Sequence, residues 1–190
     1  MKKVVILLAV LARSSIARAQ SPVYTMDKNH SRLSFSVKHL GISRVEGNFK
    51  SFNVSVVSSK DDYSDAKIEM TADVKSINTE VEMRDNDLRG PNWFDSEKYP
   101  TLTFKSTEFK KVGEDTYKLV GNITIHGVTK PITLDVEFNG KIQNQRSKKF
   151  ICGFTITGKL NRADFGVGGS EFGMVGNEIK LTSNVEFVIS

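Results

Sequence analysis

Apolar residues recur at every second position along most of this chain, and that period constrains the fold more than any bulk property does. Leu33, Phe35 and Val37 alternate with Ser34, Ser36 and Lys38. The same beat runs through Val45-Gly47-Phe49, Phe52-Val54-Val56, Ile68-Met70-Ala72-Val74 and Leu102-Phe104. It continues in Leu119-Gly121-Ile123-Ile125, Ile132-Leu134-Val136-Phe138, Phe154-Ile156-Gly158-Leu160 and positions 179–189. Half-apolar runs at near-regular spacing predict an all-β antiparallel sheet with one greasy and one wet face. About eight strands is the number at which such a sheet can curl shut around packed side chains or one slim ligand. An open two-sheet sandwich satisfies the same period. Polar stretches at 112–115, 126–131 and 140–149 are the expected hairpin connectors.

One segment breaks the beat. Thr79, with Glu82 three residues on, has capping-box spacing; Arg89 comes late, and Gly90-Pro91 supplies a stop. A short helix is predicted over residues 79–89, leading into an aromatic loop with Trp93, Phe94 and Tyr99. On that helix Asp85 and Arg89, at i and i+4, can pair.

The first residues, "MKKVVILLAVLARSSIARAQ", have a basic start, an apolar run too short to span a bilayer and an A-x-A end at Ala17–Ala19. We expect a cleaved signal over 1–19, one domain over 20–190, and an exported product. The whole chain carries 27 basic and 22 acidic residues, but Lys2, Lys3, Arg13 and Arg18 belong to the leader, so the mature chain is close to neutral. Nucleic-acid binding loses its electrostatic support. Cys152 is the only cysteine, so packing alone must stabilise the domain; it reads as a small buried hydrophobe.

Sites of chemistry are sparse. The three histidines, His30, His39 and His126, have no partners at a recognisable metal spacing, and no nucleophile signature is present. Asp61 and Asp62 read as a solvated turn. His39 falls in phase with Leu33, Phe35 and Val37, which aims it inward; His126 is one step out of phase with Ile125, which favours a turn role. Arg84 and Asp85 either belong to a solvated helix face or reach into the barrel mouth.

Several ordered stretches carry a family resemblance. "YTMDKNHSRLSFSVKHLGISRVEGNF", "MRDNDLRGPNWFDSEKYPTLTFKST", "GNITIHGVTKPITLDVEF" and "RADFGVGG" together resemble the YceI-like family of exported bacterial proteins, from about Tyr24 to Phe187. The resemblance implies a lipocalin-like antiparallel barrel of about eight strands with one short helix. It also implies a periplasmic home and an interior holding an isoprenoid, quinone-like or other long-chain amphiphile. It carries no catalytic residue.

The residues agree with that implication. Phe35, Phe49, Phe104, Phe138, Phe154 and Phe187 put large side chains on one face, while Gly47, Gly121 and Gly158 remove bulk from the same face, a mixture that can leave a tunnel. The expected ligand-contacting set is Phe35, Val37, His39, Phe49, Arg84, Asp85, Leu88, Trp93, Phe94, Phe104, Ile123, Phe154 and Phe165, with His39 or Arg84 meeting the polar head. The leading expectation is non-enzymatic binding of a lipid, with no cofactor beyond a bound polyisoprenoid or quinone-like molecule. Trp93 and Phe94 leave open transient membrane contact, and a homodimer is compatible. Two other readings remain: an enzyme using His39 as general base on a lipid-like substrate, and a partner-binding module whose glycines serve close packing without a cavity.

Overall fold

The computed structural model describes residues 22–169 and 173–190; the expected leader over 1–19 and positions 170–172 lie outside them. The strands are β1 (Tyr24–Met26), β2 (Arg32–His39), β3 (Ser43–Phe49), β4 (Phe52–Val57), β5 (Lys67–Asp73) and β6 (Ile77–Asn78), then β7 (Thr101–Lys111), β8 (Thr116–Ile125), β9 (Val128–Gln143), β10 (Phe150–Asn161) and β11 (Val175–Ile189). One helix, α1 (Glu82–Arg89), lies between β6 and β7, and 3₁₀ turns occupy Val74–Ser76 and Arg162–Phe165.

Among the described residues the strands form a single sheet in the order β4-β5-β7-β8-β9-β10-β11-β2-β3-β6, with β1 on β11. Neighbours pair antiparallel throughout. One continuous path decides against the sandwich. The count is eleven where the period predicts about eight, chiefly because β1 and β6, three and two residues long, are too short to show alternation. The sheet curls into an incompletely closed barrel. β3, near one end of the path, passes into β4, the other end, through residues 50 and 51 alone. That corner is pinned by the first 3₁₀ turn: the Lys50 amide donates to the Ser76 carbonyl at 3.1 Å and the Ser51 amide to Ser76 Oγ at 3.0 Å.

The alternation does what it predicts. In β9, Ile132, Leu134 and Val136 are buried while Thr133, Asp135 and Glu137 between them are exposed. In β8, Tyr117, Leu119, Ile123 and Ile125 face the same core. Each such side chain contributes about 1.5–3 kcal/mol relative to its exposed state. A second cluster of Met26, Cys152, Val185 and Phe187 continues that interior; burial pushes the Cys152 thiol pKa up, as suits an inert packing residue.

Three local expectations are corrected. The helix starts at Glu82, its N-terminal neighbour is Val81, and no side chain caps it. Thr79 is drawn away from capping because its hydroxyl and amide are engaged by Asp85. The β8–β9 connector is shorter than residues 126–131: His126 and Gly127, with φ of 51° and 75°, make a two-residue turn, and Pro131 sits within β9 opposite Asn122. Last, the inward glycines do not hollow the core. A Cβ on Gly47 would lie 2.5 Å from the Phe35 ring, and one on Gly158 2.3 Å from Leu134 Cδ2. These glycines let neighbouring side chains lie flat across the backbone.

Gly121 sets the clearest test. Its added Cβ would meet the Lys105 carbonyl oxygen and the Phe104 ring, each at 2.5 Å. Gly121→Ala is expected to destabilise by about 1–3 kcal/mol, the range for overpacking. A urea titration checks it by a lower midpoint at unchanged slope.

Candidate functional site

A cavity of about 250 Å³ lies at the helix end of the barrel. β2 contributes Phe35, Val37 and His39, and β3 contributes Val45 and Phe49. Leu88 from α1 and Trp93 and Phe94 from the following loop cover it, and Phe165 and Val167 come from the second 3₁₀ turn and its exit. The loop aromatics, which the sequence leaves open to a membrane, are half-buried as a lid: Phe94 meets Phe49 edge-on at 6.1 Å, and Trp93 lies under the Arg162 guanidinium at 5.7 Å.

Two smaller voids continue inward. One of about 120 Å³ shares Phe35, Phe49, Leu102, Ile125, Leu160 and Leu181 with the first as common wall. The other, about 60 Å³, shares Val54, Ile68, Leu119, Ile156 and Val185 with the second and no residue with the first. The three therefore stand in series along the barrel.

Polar groups gather at the helix end. Arg84 donates from Nε to Thr79 Oγ1 at 2.7 Å and from Nη2 to the Thr79 carbonyl at 2.8 Å. The Thr79 hydroxyl and amide in turn donate to Asp85 Oδ1 at 2.6 and 2.8 Å. Arg162 donates to three carbonyls, those of Gly176, Val167 and Val175, at 3.1, 2.8 and 3.0 Å. Two of these acceptors, Val175 and Gly176, lie where β11 loses register with β2 between Val175 and Ile179. Burial lowers the Arg162 pKa from its ordinary value. Asp87 both lines the cavity and is exposed, so the void reaches solvent there.

The structure brings together nine of the thirteen expected residues in the outer cavity: Phe35, Val37, His39, Phe49, Arg84, Leu88, Trp93, Phe94 and Phe165. Phe104 and Ile123 line the middle void and Phe154 the inner one. Asp85 stands apart. It is 4% exposed, lies off the cavity wall, and spends its oxygen on Thr79. Nor does it pair with Arg89, which donates instead to the Lys75 and Ile77 carbonyls at 2.9 Å each and so ties α1 to the corner turn. His126 takes the turn role: its ring meets Tyr99 edge-on at 4.6 Å, and Nδ1 lies 3.2 Å from the Phe165 carbonyl oxygen.

Sequence reasoning missed Arg162, although its signal matches that of His39: it continues the inward series Phe154, Ile156, Gly158, Leu160 by one more step of two. It also missed a grouping outside the barrel, where ligand atoms of Asp27, His30 and Glu186 lie within 4.8 Å of one another. There the β1–β11 pairing brings Glu186 to an Asp27–His30 ion pair of 2.9 Å, which raises the His30 pKa and lowers that of Asp27.

A curled antiparallel sheet, a lid helix, and an apolar interior entered past arginines define a lipocalin-like protein. Comparison with known proteins makes the assignment specific. Residues 24–187 match the YceI-like domain. A UPF0312 protein of Staphylococcus aureus (strain N315) is 38% identical over 172 residues, covering 88% of this chain and 98% of that protein. Among solved structures, Burkholderia cenocepacia BcnA superposes with a TM-score of 0.77 at 25% identity, covering 85% of this chain and 98% of that one. The Campylobacter jejuni YceI protein gives 0.72 at 34% identity, covering 87% and 96%. A polyisoprenoid binding domain from Saccharophagus degradans, implicated in plant cell wall breakdown, shares the fold with a TM-score of 0.63 at 16% identity, covering 88% and 99%. The chain belongs to the YceI-like family.

Asp85→Ala removes the acceptor of two buried bonds to Thr79. The expected cost is about 1–3 kcal/mol per donor left unpaired. Urea denaturation measures it, and faster exchange of the Thr79 amide would localise it to the lid.

Proposed function

We propose that the protein is a non-catalytic binder of a long-chain amphiphile, of the polyisoprenoid or quinone-like kind, exported to the periplasm by the leader over 1–19. The observation that carries this reading is the series of three voids, walled almost entirely by apolar side chains, that begins beside Arg84, Arg162 and His39. A chain-like tail suits such a space, because each methylene moved from water into apolar surroundings contributes about 0.8 kcal/mol without needing any directional contact. The polar head then stays at the helix end, where the cations and the exposed Asp87 are. Kinship with the YceI-like family supports the reading, as does the fold shared with the Saccharophagus domain described as polyisoprenoid binding.

Binding is favoured over turnover by the surroundings of His39. It closes the apolar series of β2 and lines the outer cavity beside Phe35, Val37 and Phe49, the position of a group that meets the polar head of a bound tail. The voids likewise weigh against a module packed solid.

Leu181 forms part of the wall common to the outer and middle voids. Leu181→Trp is expected to cut uptake of a hydrophobic fluorescent dye several-fold, while thermal unfolding stays cooperative. Mass spectrometry of an organic extract should find lipid in the wild-type protein and less in the variant. A wild-type protein that retains no lipid and takes up no dye would sink the proposal.

A further inference from the structure

The inner end of the cavity series is closed by a feature that the strand pairing does not require. β4 and β5 are adjacent antiparallel strands, which a two-residue turn can join. Here the connection runs over residues 58–66. Its shape is held by Asp65, whose carboxylate accepts from Ser58 Oγ at 2.6 Å, the Ser59 amide at 3.0 Å and the Lys60 amide at 3.2 Å. Those bonds hold the Asp65 pKa well below the usual carboxylate range. Two further backbone bonds, from the Tyr63 amide to the Lys60 carbonyl and from the Ala66 amide to the Tyr63 carbonyl, fold the loop about Tyr63.

With the small Ala66 beside it on the wall of the innermost void, Tyr63 is the one large side chain the loop drives inward. It is 5% exposed, although its neighbours Asp61 and Asp62 are exposed. Its φ is 59°, a conformation that a bulky residue adopts only where the surroundings impose it. Its ring joins a closed circuit of edge contacts: Tyr24 at 6.2 Å, Phe154 at 5.4 Å, then Phe154 to Phe187 and Phe187 back to Tyr24, each at 6.4 Å. All four aromatics line the innermost void.

We propose that this loop is a stopper, with Tyr63 as the residue that ends the tunnel and so sets the longest tail the barrel accepts. The proposal rests on the amphiphile-binding reading above and adds a length limit to it. From Arg162 at the mouth to Phe154 at the floor, β10 and the turn that follows it run about 27 Å at 3.4 Å per residue. A barrel tilt of roughly 35–45° reduces this to about 20 Å along the axis. A hydrocarbon zigzag of 1.5 Å bonds advances about 1.3 Å per carbon, so about sixteen carbons, or about four isoprene units in line, reach Tyr63. Longer tails must bend or leave carbons in water.

A ladder of straight-chain saturated fatty acids, titrated by displacement of a bound hydrophobic dye, reads the limit directly. For the delipidated wild-type protein, affinity should climb with length, by up to about four-fold per methylene, and flatten near about sixteen carbons. In Tyr63→Ala the break should move to longer acids by at least two carbons. In Val56→Phe, which adds bulk to the wall of the same void and keeps the stopper, it should move to shorter ones. Val56→Phe decides the matter if Tyr63→Ala fails to fold. Binding of fatty acids with a break that neither folded variant shifts overturns the stopper and leaves the binding reading standing. Failure of every acid to displace the dye from wild type overturns both.

Discussion

A sheet with one greasy face has to hide that face, and this chain hides it against itself. Everything else in the molecule follows from the curl. No second layer of helices is available: α1 is the only α-helix among the described residues, and of its apolar side chains Met83 is exposed. The curl in turn depends on close approach between strands and rings. Phe35 over Gly47 and Phe104 over Gly121 let large side chains lie along the wall instead of standing across the lumen. Rings folded flat in this way cover the backbone and still leave the axis incompletely filled, which is how a core rich in phenylalanine coexists with voids.

The lid is held by a different kind of force. Eight residues of "EMRDNDLR" would not form a stable helix alone, being short and largely polar. Its position comes from charged side chains seated on backbone carbonyls: Arg84 on Thr79, and Arg89 on Lys75 and Ile77. Lys75 belongs to the turn that also pins the β3–β4 corner, and Ile77 follows it directly as the first residue of β6. One arginine therefore couples the lid to the place where the barrel's two ends meet. Arg162 does the same work opposite, bridging the second 3₁₀ turn to the start of β11 and carrying Trp93 on its plane.

The period-two pattern made the strands and their inward residues legible, since face alternation is local and leaves its mark in every segment longer than about five residues. What it could not show depends on contacts distant in sequence. Gly121 reads as missing bulk, but whether the space is empty or taken by Phe104 depends on the strand partner. Thr79 reads as a cap until Asp85, one turn into the helix, claims both its donors. Arg162 carried the same in-phase signal as His39 and was hidden by standing just past the strand end. Tyr63 left no signal at all, because it sits between acids in a stretch whose composition belongs to a solvated turn. Only the Asp65 clamp and a left-handed backbone reveal that the loop points its tyrosine inward.

The voids themselves carry the last step. In well-packed cores, residual cavity volume costs about 24 cal/mol per Å³, so the middle void of about 120 Å³ withholds about 3 kcal/mol from the empty fold. Leu119 and Ile156, which line it, are aliphatic residues of moderate size, so filling it would need larger side chains and no new architecture. A wall that stays apolar and underfilled, beneath a lid secured by polar bonds, leaves that stability for a guest to supply. On the proposed reading, the ligand completes the core, and its affinity and its stabilisation of the fold are one quantity measured twice. Recognition then falls mainly on length and girth along the tunnel. Chemical discrimination is left to the few polar groups at the mouth, where Arg84, Arg162 and His39 face whatever head the tail carries.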